Sequence, residues 1–100
     1  MLLAALIVQF PQMSSADPLE NAYFLCDLFD KTGVASQCQV SNVTSSVDVI
    51  IDTNEAEAAN VCSVIVNNMV EKKRAFGGRW KLRIFAPDRA EAPLAVCTLR

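Results

Sequence analysis

The chain contains no histidine at all. Without an imidazole, neither a Ser–His–Asp triad nor a Cys–His nucleophile pair can be assembled, and zinc sites of mixed cysteine and histidine are excluded as well. Cys-x-x-Cys is also missing, the shortest interval between cysteines being Cys26 to Cys38, which removes the usual spacing of thiol redox centres and zinc ribbons. No apolar run approaches the ~18–20 residues of a spanning helix. Glycine numbers only three, and Gly77–Gly78 follow a helical stretch instead of opening one, so there is no glycine loop to cradle phosphate. Nor is there an excess of charge of one sign. Nine basic against eleven acidic residues give a net charge of −2, which predicts no overall attraction to nucleic acid and leaves anion recognition to a local patch.

What is present is a chain of 100 residues, 52% hydrophobic and 20% charged, enough for one small folded domain with one modest core and too apolar for intrinsic disorder. The first sixteen residues read differently from the rest. Leu2 to Val8 is continuously apolar and is followed by Pro11 and then by Ser14, Ser15 and Ala16, the layout of an export signal cut between Ala16 and Asp17. No Lys or Arg precedes Leu2. The alternative is that residues 1–10 form a β-strand of a cytoplasmic, ferredoxin-like regulatory or ligand-sensing domain with reduced cysteines.

From residue 17 onward the signals of element ends are explicit. Asp17, Pro18 and Glu20 form a helix start, and Ala22, Leu25, Cys26 and Phe29 recur at helical spacing until Gly33. Period-two alternation follows over Gln37 to Val43 and Val47 to Asp52, with Ser45–Ser46 as the turn; in the second strand Ile50 places an apolar side chain on the wet side. Asn54 and Glu57 announce a second helix running to about Arg74, with an inner stripe of Ala58, Cys62, Ile65, Val66 and Met69. A second hairpin, Arg79 to Phe85 and Leu94 to Leu99, closes the chain around a loop rich in Pro, Asp and Arg. The expected fold is α+β, a two-layer sandwich of order α-β-β-α-β-β over residues 17–100. Its four-stranded sheet is expected to be antiparallel and covered on one face by two helices.

With an export signal, four cysteines imply two disulfides. Cys26 lies near the end of the first helix and Cys38 at the start of the next strand, so these two pair, leaving Cys62 on the second helix for Cys97 in the last strand. The carboxylates Asp27, Asp30, Asp48, Asp52, Glu55 and Glu57 have structural roles at helix ends and wet faces and form no catalytic pair. No enzyme activity, cofactor or metal is expected. The remaining feature is the run Glu71 to Arg83, which concentrates Lys72, Lys73, Arg74, Arg79, Lys81 and Arg83, six of the nine basic residues. Arg79, Lys81 and Arg83 alternate with Trp80, Leu82 and Ile84, so they stand on one side of a strand, where they either bind an anionic partner or pair with Asp48 and Asp52. The expectation is a secreted or periplasmic, non-catalytic binding module whose partner is an acidic protein, a polysaccharide or a lipid headgroup.

Overall fold

A computed structural model describes residues 17–100 of the chain; the export segment over 1–16 and the alternative strand over 1–10 lie outside the described residues. Helix α1 (Pro18–Thr32) starts where Asp17 turns its carboxylate back to accept from the amides of Leu19 and Glu20, and it ends at Gly33, whose φ of 71° lets its N–H reach the Phe29 carbonyl. Strands β1 (Gln37–Ser41) and β2 (Ser46–Ile50) form the first hairpin, with the reversal at residues 42–45. Ser46 is therefore the first residue of β2 and not part of the turn. Helix α2 (Glu55–Glu71) is capped by Asn54, whose side chain accepts from the Glu57 amide at 2.8 Å. It ends three residues before Arg74, because Lys73 takes a left-handed φ of 57° and the Arg74 amide closes back on the Met69 carbonyl. Strands β3 (Lys81–Phe85) and β4 (Ala95–Thr98) complete the sheet.

The strands lie in the order β1-β2-β3-β4. Both hairpins are antiparallel, but the expectation of a wholly antiparallel sheet is wrong: β2 and β3 run parallel, with Ser46 opposite Lys81 and Ile50 opposite Phe85. The cause is α2. A strand followed by a helix and a second strand crosses over and returns in the same direction, so joining the hairpins through a helix makes their shared seam parallel. The sheet is therefore mixed, and the fold is an α+β domain of two helices and four strands.

Period two gives the sheet one apolar face. Val47, Val49, Leu82 and Ile84 on the two central strands are completely buried, in one cluster with Leu25 and Phe29 of α1 and Val66 and Met69 of α2. Trp80 belongs to this core and stands near Phe76, with ring centroids 6.4 Å apart. Two disulfides form as expected, Cys26–Cys38 and Cys62–Cys97, with Cα separations of 5.5 and 5.9 Å. The first holds α1 to β1 and the second α2 to β4. Cys38 is in register with Val49 and Cys97 with Leu82, so both bridges leave the sheet from its apolar face and the opposite face carries neither helix. The buried Asn21 ties the start of α1 to the chain after α2: its Nδ2 donates to the Ala75 carbonyl at 2.7 Å while its Oδ1 accepts from Arg74.

Candidate functional site

The helix-free face is ordered in three rows across the strands. Ser41, Ser46, Lys81 and Thr98 make the first; Gln39, Asp48, Arg83 and Val96 the second; Gln37, Ile50 and Phe85 the third. Within the second row the parallel seam sets Asp48 beside Arg83. The guanidinium donates through Nε to Asp48 Oδ1 at 2.7 Å and through Nη2 to Oδ2 at 2.6 Å, the parallel two-bond geometry in which arginine recognises a carboxylate. Acceptance of these hydrogen bonds by Asp48 raises the Arg83 pKa above its ordinary value, outweighing the opposing effect of desolvation. The same guanidinium stands 5.5 Å from the centroid of the Phe85 ring, within range of a cation–π attraction.

Around this pair the surface is concave. A cleft of about 320 Å³ is floored by Asp48, Ile50, Arg83 and Phe85, edged by Gln37 and Gln39, and walled by Ala86, Pro87 and Ala90 of the β3–β4 loop. Its volume is at the small end of the ~300–1,000 Å³ found for small-molecule sites. One end is charged and hydrogen-bonding, the other apolar.

The six basic residues singled out in the sequence do not form one patch. Lys81 and Arg83 share the helix-free face, where Lys81 Nζ donates to Thr98 Oγ1 at 3.2 Å. Arg79 lies just before β3, exposed in the turn that contains Gly77 and Gly78. Lys72, Lys73 and Arg74 lie at the far end of α2, and Arg74 is occupied there, donating to Asn21 and standing 3.9 Å over the Phe24 ring. Lys73 and Arg74 share a separate depression with Arg100, a cation distant in sequence that arrives because the Phe76 amide donates to the Arg100 carbonyl. Of the two carboxylates considered as cross-sheet partners, Asp48 takes that role for Arg83, while Asp52 lies beyond the end of β2 and has no ion-pair partner among the described residues.

Sequence reasoning did not gather Gln37, Gln39, Phe85 and the loop residues into a site. One signal pointed there: Ile50, the apolar side chain on an otherwise wet strand face, is the half-buried floor of the cleft. The four cysteines are all engaged in disulfides, so they offer no thiolate to a metal or a substrate. A second concavity, about 380 Å³ and mainly apolar, runs between the helices past Leu28, Val34, Val61, Val64 and Ile65. No protein-family model matches the chain, and neither the curated proteins nor the solved structures yield a match.

Proposed function

We propose that the protein is an exported, non-catalytic binding module that engages an anionic group of its partner on the helix-free face of the sheet. The observation that carries this reading is the cleft at Arg83, where a cationic fork, an aromatic ring and a loop wall converge on a surface that no helix covers. The two disulfides support an oxidising, extracellular setting, since such bonds persist there and are rare in reducing compartments. No described helix is long and apolar enough to cross a membrane. Lys81 and Arg79 extend positive charge from the cleft toward the opposite end of β3, in reach of a polysaccharide, a lipid headgroup or an acidic protein surface.

The test replaces Arg79, Lys81 and Arg83 together by Ser and compares retention on an anionic matrix. The parent should be retained at low salt and released as ionic strength passes about 0.15 M, where the screening length is about 8 Å. The triple variant should pass unretained with a melting temperature close to the parent's, because a partly exposed ion pair such as Arg83–Asp48 adds little stability. A variant that still binds like the parent refutes the site. Intact mass on protein made in its natural host tests the export claim: residues 1–16 should be gone, together with four hydrogens lost to the two disulfides.

A further inference from the structure

We infer that the cleft recognises a carboxylate joined to a small apolar group, and that Asp48 is a built-in occupant of the position this carboxylate takes. The inference rests on the proposed function and names the ligand class of the same site. Three features carry it. The Arg83 fork is presented in two-bond geometry, and what it holds is a carboxylate, so the site already displays the group it fits. Beside that anion position the cleft is lined by Ile50, Phe85 and Pro87, an apolar surface that suits an aliphatic or aromatic group. At the rim, Gln37 and Gln39 offer amide donors and acceptors to whatever joins the two parts.

The charged groups facing Arg83 are few. Asp48 comes from β2, Lys81 lies two residues back on β3, and the β1 and β4 neighbours in the same row are the uncharged Gln39 and Val96. A ligand carboxylate therefore competes with one internal carboxylate and meets no other fixed negative charge in its row. Binding is an exchange: the ligand takes the Arg83 fork and Asp48 turns away to solvent, which its partial exposure permits. Asp48 thereby weakens affinity for every carboxylate ligand, and its neutralisation should tighten binding by about tenfold, equivalent to ~1.4 kcal/mol.

Two acids serve as probes, hexanoate for a free small acid and N-acetyl-alanyl-leucine for a peptide C-terminus, each paired with its primary amide. Binding to the parent and to Asp48→Asn is followed by nitrogen–proton NMR at the Arg83 Nε–H and at the backbone amides of Gln39 and Phe85. Both proteins should respond to an acid and not to the corresponding amide, with Asp48→Asn about tenfold tighter. Response to hexanoate assigns the ligand to free acids, and response to the peptide acid alone assigns it to chain termini. Equal response to acids and amides, or no gain in Asp48→Asn, overturns the inference. Should Asp48→Asn fail to fold, Asp48→Ser carries the same comparison, and the parent's acid-against-amide response decides in either event. If the triple Ser variant loses matrix binding while neither acid binds the parent, this inference falls and the broader anionic reading stands; if the triple variant keeps matrix binding, the broader reading falls.

Discussion

Replacing Cys62 and Cys97 together by Ala should destabilise the domain more than replacing Cys26 and Cys38, by an amount set by the loops the two bridges close. The separations are 35 and 12 residues. In the chain-entropy treatment, a cross-link lowers the entropy of the unfolded chain by about 2.1 cal/mol/K plus 1.5R ln n, which gives about 3.8 kcal/mol for the longer loop and about 2.8 for the shorter at 25 °C. The lost side-chain burial is similar in the two cases, since Cys62 is 4% and Cys26 8% exposed and their partners are both half-buried, so the difference of ~1 kcal/mol survives subtraction. Against a total of about 5–15 kcal/mol for a domain, either loss is large. Urea unfolding of the two double variants and the parent, followed by far-ultraviolet circular dichroism, reads the order directly. Equal midpoints, or a lower midpoint for the Cys26/Cys38 variant, would refute the reasoning and show that local packing outweighs loop closure here.

Asn21→Ala should lower stability by about 1–3 kcal/mol, because the fully buried Asn21 side chain makes two hydrogen bonds, to the Ala75 carbonyl and from Arg74, and both are lost; a thermal melt within a degree of the parent's would contradict this. Gly33→Ala should cost about 1 kcal/mol through the left-handed backbone alone, since a Cβ placed there meets nothing within 4 Å, and Gly33→Asn should cost less. Because Asp48 raises the Arg83 pKa, the stability Arg83 contributes is fully present below the ordinary arginine value and disappears only as pH rises through the raised one. The difference in urea midpoint between the parent and Arg83→Gln should therefore stay flat from about pH 7 to 10, where arginine remains protonated; a slope in that window would place another titrating group at the pair.

Element ends were legible because single residues set them. Asp17 and Asn54 cap the two helices through their own side chains, and Gly33 occupies a φ that other residues avoid. The disulfide pairing was legible from chain position, since Cys26 near the end of α1 and Cys38 at the start of β1 are brought together by a short connection, which leaves Cys62 for Cys97. Strand direction across the β2–β3 seam was not read correctly, although the helix between the hairpins contained the information: a crossover of that length returns the next strand parallel. The error passed to the site. Only the parallel register sets Asp48 against Arg83 and Ile50 against Phe85, so the cleft stays invisible while the seam is drawn the other way. The end of α2 was overestimated for a different reason, because Lys73 in a left-handed conformation is a choice of tertiary context that its residue type does not announce.

The two disulfides divide the chain into segments that do not interleave. One loop closes at Cys38 before the other opens at Cys62, and each bridge lies within its own half, α1 with β1 and α2 with β4. The β2–β3 ladder is the one place where the sheet crosses from half to half. For a chain delivered N-terminus first across a membrane, the first cysteine of each pair would be followed by its own partner as the next cysteine to emerge, so vectorial delivery would favour the native connectivity. Pairing in order of emergence would yield the native bonds without reshuffling, because each bridge joins two cysteines that are consecutive in the sequence.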